Sequence, residues 1–489
     1  MTMEQLILTA YLPVLMLLAG AGVLQVYRLL RPALEALFVR IFGTLLLAAA
    51  GAGELLIVHG LTAAKSPHGG VLPFQWGVLD GVGFWLTMGS LALGLVVMWC
   101  RPSRERSGRE EAYTGVLVLL TAGWLSALAR TSDTGVAVAL LTVIAITMVA
   151  SFLHEKSFED VAAMLGRMGS DLACALALLI LGATGCAMSS GTGDLAALGG
   201  LASHLTPLGV VSWTALLAGL SWFFQLFPFG SWRLKMSWRP ESTSVALVTG
   251  SGILAGATIL FRLLVPLAGT VGTAVVSCVG ALLLVNGCSI ALRSLRHDSL
   301  LRLGEGAGVM AASIMVGSIA ITGASHDAPG EISVALLVAV GAGIVLPLMV
   351  LLLRTAARES GSDLTGDTLH AGLAGSRWNA ALVGLLLAAS VGLPPFPVFF
   401  LAAAGILQGV TTPFAWVVGA VLLVWGVALG ASWVVLHALF RVEGARKSGV
   451  HISRVPQVAA GVLVVTVFGV MVSAGLVGKI VDTLVVVLR

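Results

Sequence analysis

Lysine is nearly missing from this chain. Five occur in 489 residues, and Lys156, Lys235 and Lys447, the three between Lys65 and Lys479, all sit in polar stretches. Charge of either sign is scarce as well: Asp, Glu, Lys and Arg make up 10% of the residues, against about 25% in a typical soluble domain. That deficit excludes an ordinary soluble fold with a solvated surface. The net charge of +4 does not point to nucleic acid, because the basic residues follow the loops.

Cysteine is equally uninformative as a ligand. Cys100, Cys174, Cys186, Cys278 and Cys288 form no CxxC or other cluster-binding run. They read as small apolar residues in helices, so no iron–sulfur cluster, haem, disulfide framework or other cofactor is expected. A nucleophile–base pair, a phosphate loop and a metal cluster are all lacking. His59, His204 and His326 are too scattered to suggest a site. Short segments of alternating hydrophobicity, which would mark a membrane barrel, are absent too.

What the sequence has is apolar length. Hydrophobic residues are 58% of the chain. Runs of roughly 20 apolar residues, the span of a bilayer-crossing helix, recur throughout. They predict an all-α polytopic membrane protein of about fourteen helices. The runs cover 5–27, 41–60, 81–100, 113–130, 134–153, 168–188, 206–229, 243–267, 271–292, 303–323, 332–353, 378–408, 413–438 and 457–485. The first follows Glu4 rather than a basic stretch and lacks a clear cleavage site, so it reads as a retained helix.

Arginine then alternates between loops. Arg28, Arg31 and Arg40 follow the first run, Arg101, Arg104, Arg106 and Arg109 the third, and Arg233 and Arg239 the seventh. Arg293 and Arg296 follow the ninth run, Arg354 and Arg358 the eleventh, and Arg441 and Arg446 the thirteenth. The intervening loops hold almost nothing basic beyond Lys65 and Arg130. The positive-inside rule puts both termini outside; a prokaryotic cytoplasmic membrane is the expected location.

Two runs are interrupted by proline. The seventh reads Leu226-Phe227-Pro228-Phe229-Gly230, and the twelfth Gly392-Leu393-Pro394-Pro395-Phe396-Pro397-Val398. Each is the fourth member of a five-helix block, the blocks being runs four to eight and nine to thirteen. An odd number of crossings inverts the second block, and paired interruptions mark an inverted-repeat core. The expected division is an N-terminal three-helix segment (1–112), a first repeat (113–268), a second (269–440) and a C-terminal helix (441–489). Breaks are expected near Phe227–Phe229 and Leu393–Pro397, at Pro228 and at Pro394, Pro395 and Pro397.

These features resemble the antiporter-like subunits shared by respiratory complex I, membrane-bound hydrogenases and Mrp-type cation/proton antiporters, over nearly the whole chain. Pro228-Phe229 with Ser231-Trp232 is similar to the family's PFHxW, and Ser242 to Arg262 to its PxPVSxLL…R pattern. Gly392 to Phe400 is similar to GxPPxxGF, and Asp80-Gly81 to the xDG that precedes the third helix. Ser157-Phe158-Glu159 is similar to the connector before the sixth.

The resemblance also implies titratable residues that this chain lacks. The family lysine five residues before the PF pair falls on Phe223, and the lysine or histidine of the eighth helix on Thr249 to Ile253. The charged residue after GxPPxxGF falls on Leu401 or Ala402, and the glutamate of the fifth helix near Thr142 or Val143. The standard central relay is therefore expected to be lost at Thr142, Phe223, Ile253 and Ala402, none of which can titrate.

Four ionisable residues remain as candidates for an ion path or for structural pairing. Glu54 is an intramembrane carboxylate, either functional or paired to a neighbour. Asp171 lies about a turn into the sixth run, where capping or pairing competes with transport. Arg262 reads as a structural pair or a snorkelling side chain. Glu305 follows Asp298 and Arg302 near the inner interface. Arg130 and Asp133 flank a short outer turn and read as a local cap and pair.

The resemblance implies a subunit of a proton-translocating redox complex, complex I-like or hydrogenase-like, acting as a scaffold or a modified channel module. Its partners would be other membrane subunits, which carry the redox chemistry and the electron carriers. A membrane partner of an inorganic-carbon uptake complex and a free-standing cation/proton antiporter are the alternatives.

Overall fold

The computed structural model describes residues 3–30, 36–63, 72–74, 77–100, 108–152, 158–195, 206–226, 242–264, 273–294, 329–360, 377–391 and 415–440, with isolated positions between them. Twelve α-helices lie among the described residues. They are α1 (Met3–Leu30), α2 (Ala36–Ala63), α3 (Gly81–Trp99), α4 (Gly108–Arg130), α5 (Thr134–Phe152) and α6 (Phe158–Ser190). They continue with α7 (Pro207–Leu220), α8 (Ser242–Leu264), α9 (Thr273–Ser294), α10 (Pro329–Ser360), α11 (Arg377–Val391) and α12 (Ala415–Phe440). Eight are long and apolar enough to cross a bilayer. Most of the tenth expected run and all of the fourteenth lie outside the described residues, as do Glu305, Ala402, Pro228, Pro394, Pro395 and Pro397.

Local chemistry sets the helix starts. Asp80 caps α3 by accepting from Gly83 N at 2.8 Å, and Asp133 caps α5 by accepting from Val136 N at 2.9 Å. Thr206 caps α7, accepting from Gly209 N at 3.2 Å, with Pro207 at the first helical position. In each case a side-chain oxygen satisfies one backbone donor that the first turn leaves orphaned. Among the described residues one hairpin departs from the helical expectation. Leu72–Phe74 (β1) pairs antiparallel with Gly77–Leu79 (β2), placing a small hairpin directly ahead of Asp80.

The bundle is organised around α8. Residues 245–261 are buried throughout, and α3, α4, α5 and α10 pack around the helix. Close approach needs small residues: a Cβ at Gly250 would stand 2.7 Å from both Gly343 O and Pro347 Cγ of α10. Ser244 ties the start of α8 to the end of α5 by donating to Ser151 O at 2.8 Å. The outer helices behave oppositely. Leu45 and Leu56 on α2, Leu181 and Met188 on α6, and Trp433 on α12 are exposed. Apolar side chains facing outward around a buried central helix are what a bilayer solvates.

The seventh run departs from its expected course. A span of 206–229 with a break at Phe227–Phe229 was expected, but α7 stops at Leu220. At about 1.5 Å per residue its fourteen residues reach only some 21 Å. The hydrocarbon core is about 30 Å thick, so α7 does not cross it alone. In the twelfth run α11 ends at Val391, just before Gly392, and Leu393 N donates back to Ala388 O at 3.0 Å. That end falls next to the Leu393–Pro397 stretch where a break was expected.

Candidate functional site

Beyond Leu220 the chain tightens and closes. Phe223 N donates to Leu220 O at 3.0 Å, Gln225 N to Trp222 O at 3.1 Å, and Leu226 N to Ser221 O at 2.8 Å. Gln225 has φ +59°, the one non-glycine with positive φ among the described residues. The last two bonds and the left-handed residue make a Schellman-type stop, a position that usually takes glycine or asparagine. A glutamine there costs about 1–2 kcal/mol in backbone energy. Surrounding packing must offset that cost, because Gln225 is itself buried.

The packing comes from α8. A Cβ on Gly252 would overlap the Phe223 carbonyl oxygen, and one on Gly256 would stand 2.6 Å from the Phe224 ring. The end of the broken helix thus rests on a glycine-bared strip of the central helix. Phe223 and Trp222 are completely buried, their rings edge to face at 5.1 Å between centroids. Phe223, one of the positions where a titratable residue was expected, lies in the closing turn itself.

Two other relay positions lie among the described residues, Ile253 fully buried and Thr142 partly so. Ile253 is buried on α8 next to Gly252. Thr142 on α5 donates to Val138 O at 2.8 Å. The buried hydroxyls of α8 turn the same way: Thr249 donates to Val245 O at 2.7 Å, Ser251 to Leu247 O at 2.6 Å and Thr258 to Leu254 O at 2.7 Å. Each spends its proton on its own helix one turn back.

Charge gathers at the opposite end of α8. Arg262 forms a bidentate pair with Asp80, Nη2 donating to Oδ1 at 2.9 Å and Nη1 to Oδ2, and Nη2 also donates to Ala129 O. The next residue, Arg130, is buried and donates to the Glu54 carboxylate and to Ala10 O. The consecutive α4 residues Ala129, which accepts from Arg262 through its carbonyl, and Arg130, which pairs with Glu54, therefore link two ion pairs into a clamp on α1, α2, the start of α3 and the end of α8. A Cβ at Gly83 would stand 2.8 Å from Ala129 O and 3.0 Å from Arg262 Nη2, so only glycine fits this first turn of α3. Below the clamp, Ser90 of α3 and Ser126 of α4 face each other at 3.2 Å.

Of the four candidate ionisable residues, the structure brings Glu54 and Arg262 into this clamp. Asp171 sits half-buried on α6, which packs mainly against α5 and α7. The local reading of Arg130 needs correcting: Asp133 does cap α5, but Arg130 turns inward to Glu54. Gln225 carried no sequence signal, because glycine and proline appear only beyond it.

No known family model matches the chain, and no curated protein matches it. Solved structures share its fold. A chain of respiratory complex I from Thermus thermophilus superposes with a TM-score of 0.73 at 19% identity, over 96% of this chain and 98% of that one. A chain of the membrane-bound sulfane sulfur reductase, an archaeal respiratory membrane complex, gives 0.75 at 16% identity, over 98% of each chain. A chain of the Mrp complex from a Dietzia species gives 0.76 at 14% identity, over 100% of both. The chain thus has the polytopic helical fold found in these membrane assemblies.

Proposed function

We propose that this chain is an antiporter-like membrane subunit of a proton-translocating redox complex, in which the central relay has been given up and the subunit serves as a scaffold or altered module. The observation that carries the reading is Phe223. A fully buried aromatic, its carbonyl pressed on Gly252, occupies the turn of the broken helix where the resemblance implies a lysine. A proton crossing hydrocarbon needs ionisable groups or water at short intervals. Phe223, Ile253 and Thr142 offer neither a titratable group nor a side-chain donor aimed at a neighbouring helix. The full-length likeness to chains of respiratory and Mrp complexes supports an assembled subunit over a solitary one.

In this reading the two five-helix repeats span 113–268 and 269–440, both termini lie outside a prokaryotic cytoplasmic membrane, and other membrane subunits flank the chain. Glu54 and Arg262 serve as structural partners. Asp171 and Glu305 are the two candidate ionisable residues not identified as members of the clamp, so substituting them tests conduction while leaving the Arg130–Glu54 and Arg262–Asp80 pairs in place. Complexes carrying Asp171→Asn with Glu305→Gln should move the same number of protons per electron pair as the parent. Fewer protons per pair, with assembly intact, would show that the subunit still conducts. Purification of the native chain as a lone species with full ion-exchange activity would overturn the assembled reading.

A further inference from the structure

Among the described residues two arginines stand where α1 ends and α2 begins, and they are treated differently. Arg40 donates to Glu111 Oε1 at 2.6 Å, so its charge is neutralised. Arg28, in the last turn of α1, has no carboxylate partner among the described residues. It makes one long bond to the neutral Gln25 Oε1 at 3.2 Å, and its guanidinium lies 4.8 Å from the centroid of the Tyr113 ring. Tyr113 is held in place by its hydroxyl, which donates to Ala150 O at 2.9 Å. Arg28 Nε is buried without an acceptor. A half-buried cation, seated on an aromatic face and lacking an anion among the described residues, is an incomplete arrangement.

The surface beside it has a particular shape. Val23, Val26 and Leu30 form an exposed apolar stripe on α1, and Phe38, Ile41 and Leu45 form one on α2. The two share the spacing i, i+3, i+7, which places each set on one helix face. Tyr27 and Phe38 join the stripes at the Arg28 end, their rings 5.5 Å apart. Seven residues of helix extend about 10 Å down from that end. The patch is thus a cationic head position above a double apolar track reaching into the hydrocarbon.

We propose that this end of α1 and α2 is a binding site for one anionic phospholipid, its phosphate on Arg28 and its acyl chains along the two stripes. Basic pockets between membrane helices take anionic headgroups in this manner. A zwitterionic headgroup would bring its own cation beside Arg28 and the Arg40–Glu111 pair, so the site favours a net negative lipid. The inference rests on α1 and α2 lying in a bilayer and is independent of the fate of the relay.

The test uses the full chain in nanodiscs of phosphatidylcholine, with or without phosphatidylglycerol. Phosphatidylglycerol should raise the melting temperature of the parent, and native mass spectrometry should show it retained. Arg28→Gln should abolish that rise while melting like the parent in phosphatidylcholine alone; Arg28→Lys should keep part of it. An Arg28→Gln chain that keeps the full rise overturns the site, as does a parent with no preference between the lipids. Inorganic phosphate added to phosphatidylcholine discs should leave melting unchanged, and a rise equal to that of the lipid overturns the lipid assignment. A photoreactive phosphatidylglycerol checks the location in the unmodified chain. Labelling of peptides around Val26 and Ile41 supports the site, and labelling confined to other helices overturns it.

Discussion

The Phe223 carbonyl oxygen rests on the bare Cα of Gly252, so close that no side chain fits between them. This contact joins the broken seventh crossing to the central helix. It explains how an irregular turn is tolerated inside the bundle: freed backbone is allowed at membrane depth only where protein or water covers it.

The contact predicts an order of damage along α8. Gly252→Ala drives a methyl into a backbone oxygen that cannot move alone, whereas Gly256→Ala meets a Phe224 ring that can swing aside. Overpacking of this kind costs about 1–3 kcal/mol. Melting in detergent should fall clearly for Gly252→Ala and less for Gly256→Ala. The reverse order would show that the turn does not sit on Gly252.

Gln225 should discriminate between residues by their tolerance of left-handed backbone. Asparagine enters that region readily, and β-branched residues do not. Gln225→Asn should stay near the parent in stability, and Gln225→Val should melt clearly lower than both. Equal melting temperatures for the two variants would refute the φ of +59°.

Removing one half of the buried clamp should hurt more than removing both. Glu54→Leu leaves the Arg130 guanidinium buried without its anion, a loss of about 3–5 kcal/mol. Glu54→Leu with Arg130→Met removes both charges and should recover most of the melting temperature. If the double variant melts no higher than Glu54→Leu, the two residues are not coupled.

Arg262 has a geometric role that charge alone does not fill. Lysine carries the same charge but cannot make the fork to both Asp80 oxygens while holding Ala129 O. Arg262→Lys should therefore be measurably less stable than the parent. Parent-like melting of Arg262→Lys would reduce the bidentate pair to a simple charge contact.

Topology supplies an independent check on orientation. Cysteines placed in the Arg104 loop and beside Lys65 should react with impermeant reagents from opposite sides of the membrane, the Lys65 side being outside. Labelling of both from one face would contradict the alternation of arginine between loops.

Much of the fold was legible in the sequence because it rests on local causes. Run length and loop arginines anticipate crossings, and Asp80, Asp133 and Thr206 announce helix starts through side chains that reach their own backbone three residues on. The scarcity of titratable residues in the apolar runs was visible as well. Arg262 pairs with Asp80 across 182 residues and Arg130 with Glu54 across 76, so neither choice of partner could be read from neighbours in the chain. The stop at Gln225 was hidden for a related reason. Sequence points to proline and glycine at Pro228 and Gly230, but the chain turns earlier, where Gly252 and Gly256 of α8 leave room for it. Local preference set which segments are helices, and contact between distant helices decided where one of them ends and which charges meet.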